Sequence, residues 1–522
     1  MTSDNSKPFN EWLDIKQEHF FTSKQASAGT TLLTQAPLAS VPQPSERHHR
    51  CNYCLRKGNL QRCSRCHSAY FCSNECFLKA WIHFHRGCCE EHKEDHGVPS
   101  NTDQWLLERA VLTLHSHKSL NTSPIHLSID AFDSLDAGHT NMNKQKNDTV
   151  VESTFDKLSP FFNKTEAAFT KEYLHSIYQR AEMSRFIIQD PDMHLESIGV
   201  GLFPITRKYI PHSCRPNAGL FYYQGHQLLV ALQDIPENTP ITITYIDMLE
   251  TKAERQRLLK VKFNNDEYQC HCSRCEGEFN GLDILLEREQ ETTDKTQIKA
   301  DLSEQLKSWS VLEMTKEYAT KDHQLPTSLD MPHITHFVGR LIAPAIYIPI
   351  MTGHHKKGNN KSVTHYHPYH FHTSKQDYEF NDEKLKDIIQ TLLKIKSLPY
   401  FSLPAIRAAQ ELLEERINEG NWVEASRCTI FLFMVYRLVY PSLLYPEMVY
   451  HNLMLARASW NSLVQLELAG IGKKLERIYQ NGIRIWIETA RKSILLTFGQ
   501  ESSLWREIIE IQWLFERDQK LK

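Results

Sequence analysis

The sequence predicts an α+β chain built in parts: a β-rich domain interrupted early by a small metal-dependent module, a helical insertion, and an all-α C-terminal region. Three observations predict it. Eight of the thirteen cysteines fall between Cys51 and Cys89. A strand-and-hairpin pattern runs from Gly199 to Asp247, and apolar residues recur at helical spacing after Phe401. A length of 522 residues exceeds what one core supports and sets a prior of about three or four domains.

Composition removes several classes. Lys+Arg 60 against Asp+Glu 63 leaves a net charge of -3, which argues against a whole-chain polycation that coats nucleic acid. Hydrophobic residues at 41% and aromatics at 10% supply real cores, so wholesale disorder is excluded. No stretch approaches 18 uninterrupted apolar residues, and MTSDNSKPFNEWLDIKQEHFF lacks a basic region followed by an apolar one. The expectation is a soluble intracellular protein of the cytoplasm, the nucleus or both, without a membrane segment.

From Cys51 the spacing is C-x2-C, eight residues, C-x2-C, five residues, C-x3-C, eight residues, and H-x3-C ending at Cys89. Closely spaced cysteine pairs let one short turn supply two thiolates to a tetrahedral ion, and eight ligands make two zinc sites. About 40 residues with few large apolar side chains depend on the metal for folding free energy. Chance clustering of buried cysteines does not produce this spacing.

These residues, above all Y-F-C-S-N-E-C-F-L-K-A-W from Tyr70 to Trp81, resemble the MYND zinc finger. The resemblance implies interleaved ligation, with Cys51, Cys54, Cys72 and Cys76 on one ion and Cys63, Cys66, His85 and Cys89 on the other. The family's histidine falls three residues after the tryptophan, where this chain has Phe84. His85 restores the spacing to Cys89 and is chosen over His83, with Cys88 as a shifted alternative. With every ligand position filled by protein, the finger is a binding platform and implies a protein partner.

Further on come G-V-G-L-F-P (Gly199 to Pro204), Y-I-P-H-S-C-R-P-N (Tyr209 to Asn217), and a hairpin pattern turning at Gln224-Gly225. In I-T-I-T-Y-I-D the alternation predicts a strand with Ile241, Ile243 and Tyr245 on one face. A strand tyrosine is ordinarily a packed core residue, and G-x-G without a preceding strand is no dinucleotide fingerprint.

The ordered combination of H-S-C-x-P-N at 212 to 217, I-T-x-T-Y-x-D-M at 241 to 248 and C-x-C-x2-C at 270 to 275 resembles the SET domain of protein-lysine methyltransferases. A MYND finger inserted near the start of a SET domain resembles the SET and MYND domain (SMYD) family. That resemblance implies a third zinc on Cys214, Cys270, Cys272 and Cys275, and four thiolates do fill one structural site. It further implies Tyr245 as catalytic tyrosine, His212 and Asn217 beside S-adenosylmethionine, and Tyr268 as an aromatic beside the cofactor and lysine channel. The implied substrate is a histone or non-histone protein or peptide with a target lysine.

The departures bear on the cofactor. Where the family has asparagine before H-S-C, this chain has Pro211, without side-chain amide or backbone N–H. The family's G-x-G falls at Gln17 and His19, its second tyrosine at Asp266, and its G-E-E-L turn at Asn238-Thr239-Pro240-Ile241. Two classes therefore stay open: an S-adenosylmethionine-dependent methyltransferase, or a non-catalytic SET/MYND scaffold. DNA binding is disfavoured because the finger lacks a basic recognition helix.

The implied organisation is an N-terminal SET segment (1–50), the MYND finger (51–89), a helical insertion (90–195) with a polar loop from Asn141 to Asp148, core SET (196–250), a post-SET zinc segment (251–280), a helical linker (281–400), and a tetratricopeptide-like helical domain (401–522). In the linker, His354, His355, His365, His367, His370 and His372 sit in a Gly/Lys/Asn-rich stretch, a candidate metal-binding cluster read in preference as a solvated loop. Ile406, Ala409, Leu413 and Ile417 make a helical stripe that Gly420 stops. A monomer with three zinc ions per chain is expected.

Overall fold

The computed structural model describes residues 7–89, 101–117, 126–136, 144–165, 169–193, 195–288, 294–306, 382–394, 401–440, 442–470 and 476–521. The chain divides into one unit of residues 1–246 with 256–270 and a second of 247–255 with 271–522. The His-rich stretch 354–372 lies outside the described residues.

The first unit is a set of small antiparallel sheets. Its strands are β1 (Lys7–Pro8), β2 (Leu13–Lys16), β3 (His19–Thr22), β4 (Thr31–Gln35), β5 (Ser40–Pro42), β6 (Gln61–Arg62), β7 (Tyr70–Phe71), β8 (Arg185–Asp190), β9 (Glu196–Leu202), β10 (Ala218–Tyr223) and β11 (His226–Ala231). They pair in the orders β1-β2-β3, β10-β11-β4, β5-β9-β8 and β6-β7.

Turn chemistry sets the registers. The β10–β11 hairpin turns at Gln224 and Gly225, both at positive φ, as a two-residue loop of right-handed strands requires. A Cβ on Gly225 would come within 2.9 Å of the Cys54 carbonyl, so glycine is also demanded by the finger loop beneath it. Gly199 has a different reason: a Cβ there would meet the Val41 carbonyl at 2.4 Å, because β9 lies flush on β5. The G-x-G of residues 199–201 is thus a packing feature.

Leu13, Phe20, Leu32, Phe203, Ile241 and Ile243 are fully buried in the core of this β region. Each contributes about 1.5–3 kcal/mol of burial. The strand predicted for Ile241 to Asp247 does not form. Its backbone bonds alternate between partners: Ile241 N–H goes to Phe20, Ile243 N–H to Pro211, while Thr242 and Ile243 carbonyls accept from Ala218 and Ser213. Dividing its hydrogen bonds between two neighbours leaves only isolated bridges, His212 to Ile243 and Phe21 to Pro240. The apolar face survives, since Ile241 and Ile243 are buried and Tyr245 packs on the same core.

The insertion consists of helices Thr102–His117, His126–Asp133, Lys144–Thr165 and Lys171–Ser184. It ends at Ser184, short of the predicted boundary at 195, because R-F-I-I-Q-D alternates and pairs with β9 as β8. The polar loop predicted from Asn141 to Asp148 is partly wrong, since residues from Lys144 onward are helical. Buried Arg109 joins the insertion to the finger. It donates to the Asn52 carbonyl at 2.6 Å and lies over the rings of Phe84 and Trp105 at 4.3 and 4.6 Å.

In the second unit, Leu403–Asn418, Trp422–Val439, Pro446–Leu468, Glu476–Thr497 and Ser503–Leu521 pack successively as antiparallel helices. Gly420, at positive φ, ends the first of them as the sequence predicts. The helical body begins before the predicted boundary at 401. Helix Lys295–Leu306 packs on Leu403–Asn418, and Lys299 bridges Glu411 and Glu415 at 2.8 Å each. Among the described residues no helix is long and apolar enough to cross a membrane.

Candidate functional site

The finger gathers its eight sequence-assigned ligands into two groups, Cys51, Cys54, Cys72 and Cys76, and Cys63, Cys66, His85 and Cys89. Within each group the ligand atoms lie within 4.8 Å of one another. Ser73 caps helix Asn74–Ala80 by accepting from the Cys76 N–H at 3.2 Å, which fixes the C-x3-C turn. The helix continues through a π-turn at Trp81–His85. A π-turn absorbs one extra residue, and so rotates His85 into the place the family spacing gives to residue 84. The His85 Nε2 lies 3.4 Å from Cys63 Sγ and 3.8 Å from Cys66 Sγ. His83 instead packs its ring on His117 at 4.6 Å, and the Cys88 thiol bonds to the Phe84 carbonyl.

Cys214, Cys270, Cys272 and Cys275 form a third such group. Around Cys275, the buried Arg255 reaches its sulfur at 3.7 Å and the Lys252 ammonium donates to its carbonyl at 2.6 Å. Sets of four thiolates, or three with one imidazole, fit a soft tetrahedral ion and leave no position open for substrate.

Tyr245 stands at the edge of the β core. Its hydroxyl lies 2.8 Å from the Ile210 carbonyl and 3.0 Å from the Thr206 carbonyl. One proton serves two acceptors, so the phenolic oxygen keeps its lone pairs for an incoming donor. Burial pushes its pKa up, holding it protonated. The carbonyls belong to helix Pro204–Tyr209 and its exit, which a buried network holds: Thr206 donates to Gln227 at 2.6 Å, Gln35 donates to Gln227 at 2.8 Å, and Gln227 donates to Tyr222 at 3.0 Å. Phe263 and Phe186 flank the Tyr245 ring at 5.2 and 5.5 Å, and Tyr268 packs on Phe263 at 4.5 Å.

The residues assigned to the cofactor are pinned by the protein itself. His212 Nδ1 accepts the Tyr245 backbone N–H at 3.2 Å, which fixes the tautomer with the proton on Nε2, 3.2 Å from Cys214 Sγ. Asn217 donates to the Pro240 carbonyl at 2.9 Å and accepts the Thr242 N–H at 2.9 Å. Gln17 and Glu18, at positive φ, form the two-residue turn between β2 and β3, so the turn keeps a glycine-like backbone without glycine.

Sequence reasoning missed four neighbours of Tyr245. It placed the family's second tyrosine at Asp266 and did not foresee that Phe263, seven residues before Cys270, flanks Tyr245. Phe186 lay inside the segment read as helical. Arg207 and Lys262 carried no motif signal, and both extend over these rings.

Residues 19–246 match the SET domain family model. The chain is similar to histone-lysine N-methyltransferase SMYD3 of Mus musculus, 28% identical over 300 residues that make up 53% of this chain and 65% of the relative. The Homo sapiens SMYD3 is 29% identical with the same coverage. Histone-lysine N-methyltransferase ASHR1 of Arabidopsis thaliana is 25% identical over 291 residues, 50% of this chain and 54% of that protein. The chain thus spans just under two thirds of the length of the SMYD3 relatives.

Proposed function

We propose that this SET-domain chain, a relative of the SMYD methyltransferases, is an S-adenosylmethionine-dependent protein-lysine N-methyltransferase whose three thiolate-rich groups each hold a structural zinc ion. The observation that carries the reading is the Tyr245 hydroxyl, set between the Thr206 and Ile210 carbonyls and walled by aromatic rings. When bound, S-adenosylmethionine supplies an electrophilic methyl group. His212, Asn217 and Tyr268 are the residues that would hold it, the first two by fixing the backbone of the 211–217 turn rather than by free side-chain donors.

The chain's own residues do the rest. Phe186 and Phe263 exclude water from the amine, and desolvation favours its neutral, nucleophilic form. The Tyr245 oxygen accepts an amine N–H, while the two carbonyls fix the direction of the hydroxyl. Orientation of this kind is worth several decades of rate. The substrate is a lysine of a histone or non-histone protein, the finger recruits a protein partner, and the working compartment is nucleus or cytoplasm.

A second reading, a non-catalytic scaffold, is favoured by Pro211, which offers no N–H, and by the engaged amide of Asn217. Calorimetric binding of S-adenosylmethionine to zinc-loaded full chain separates the two. Micromolar binding, with methyl transfer that Tyr245→Phe lowers at least a hundredfold while binding is retained, is expected. Absence of binding at millimolar ligand gives the scaffold.

A further inference from the structure

The rings around Tyr245 are already attended by two of the chain's own cations. The Arg207 guanidinium carbon lies 4.4 Å from the centre of the Phe263 ring, and the Lys262 Nζ lies 4.9 Å from that of Phe186. These are the two rings that flank Tyr245. The cations arrive from different elements, Arg207 on helix Pro204–Tyr209 and Lys262 on helix Lys252–Phe263.

Neither is in ion-pair contact with a carboxylate among the described residues, although the Glu182 carboxylate acts on Lys262 through space. Lys262 donates to the Arg185 carbonyl on edge strand β8, and the Arg207 Nε is buried without a hydrogen-bond partner. Burial lowers the pKa of both, that of Lys262 to about 7. A cation drawn from water without an anion in contact is costly, and the ring faces offset part of that cost here. Arg207 nonetheless remains a cation, since a guanidinium does not lose its proton in a protein.

We propose that Arg207 and Lys262 are resident occupants of the aromatic site around Tyr245 and determine its specificity, admitting an uncharged amine and opposing a charged ammonium. This rests on the reading of the Tyr245 site as an amine site. A ring face covered by one cation offers no cation–π attraction to a second, and like charges repel strongly where water is excluded. Specificity here comes from a built-in repulsive element as much as from an attractive one. A substrate lysine must therefore enter as the free amine or displace the resident side chains.

The test uses the zinc-loaded full chain without methyl donor, titrated with n-butylammonium and separately with its uncharged isostere n-butanol, and read by ligand-observed saturation-transfer NMR. The wild-type chain should bind n-butanol at least as tightly as n-butylammonium. Arg207→Met should shift the ratio toward the ammonium about tenfold, and Lys262→Met by a smaller factor. Wild-type preference for the ammonium, an unchanged ratio in both variants, or binding of neither probe to the folded variants would overturn the proposal. Melting curves establish folding, and Lys262→Met with Lys262→Gln carry the test if Arg207→Met does not fold. Because no methyl donor is present, a chain that never transfers a methyl group loses the proposed activity while the charge ratio still decides this inference.

Discussion

Arg255 and Asp283 meet in a two-point ion pair, Nη1 to Oδ1 at 2.8 Å and Nη2 to Oδ2 at 2.7 Å. Arg274 shares the same carboxylate, with its Nη2 2.9 Å from Oδ1. The three residues are 0%, 4% and 1% exposed for Arg255, Asp283 and Arg274 respectively. One carboxylate thus serves two buried guanidiniums. The Cys275 sulfur, 3.7 Å from Arg255 Nη2, supplies negative charge once it is a metal-bound thiolate. The ion triad and the Cys275 sulfur are therefore electrically coupled.

Asp283→Ala removes the carboxylate that two buried guanidiniums share. Breaking a buried pair by removing one partner costs about 3–5 kcal/mol. We expect a melting temperature several degrees lower, and Asp283→Asn to recover only part of the loss because it restores shape without charge. Differential scanning calorimetry of the metal-loaded chain reads both, and an Asp283→Ala melt equal to wild type would remove the triad from the account of stability.

The two histidines of the finger give a ligand test. His85 lies among Cys63, Cys66 and Cys89, whereas His83 packs against His117. Native mass spectrometry should count three zinc ions on the wild-type chain and on His83→Ala, and two on His85→Ala. A chelator that removes the metal should also unfold the finger, since its folding free energy is metal-binding free energy. Loss of zinc from His83→Ala with retention in His85→Ala would reverse the assignment.

The sequence made the finger legible because ligand spacing is a local property, and even the shifted histidine followed from H-x3-C. The π-turn that places it was not legible, since backbone hydrogen-bond register leaves no compositional mark. The Gln224-Gly225 hairpin was readable from turn chemistry. Residues 241–247 were misread as a strand because alternation reports which side chains are buried, not whether one neighbour or two take the backbone bonds. The environment of Tyr245 was only half visible. Its ring neighbours come from β8 and from the end of helix Lys252–Phe263, and such long-range encounters follow from topology rather than pattern.

His451 makes the helical unit acid-sensitive. It is 5% exposed, its Nε2 is 2.7 Å from the Thr429 carbonyl, and it packs between Phe433 and Tyr436. Burial lowers its pKa to about 4, from an ordinary value of 6.5. Between those values the unfolded chain binds the proton and the folded chain does not, so stability falls as pH drops from 6.5 towards 4. The loss between pH 7.5 and 5 is about 2 kcal/mol for this group. His451→Gln, which keeps a donor for Thr429, should flatten that part of the stability profile, and chemical denaturation at the two pH values measures it. An equally steep profile in His451→Gln would place the acid sensitivity elsewhere.

Pro211→Asn decides how much the missing donor matters. The Pro211 carbonyl already accepts the Ile243 N–H, and Tyr245 bonds to the carbonyl of the preceding residue, so the backbone at 211 is held without help from its side chain. Asparagine accepts the φ of proline and adds an amide plus a backbone N–H with little rearrangement. One or two such bonds to a bound ligand are worth about 1–2 kcal/mol, or roughly tenfold or somewhat more in affinity. We expect S-adenosylmethionine to bind Pro211→Asn about tenfold more tightly than wild type by calorimetry, with an unchanged melting temperature. Equal micromolar affinity in both chains would mean that the turn fixed by His212 and Asn217 compensates through its backbone. No binding to either would mean that the Tyr245 site is not built around a methyl donor, and the scaffold reading would then account better for the engaged Asn217 amide and the cation-covered rings.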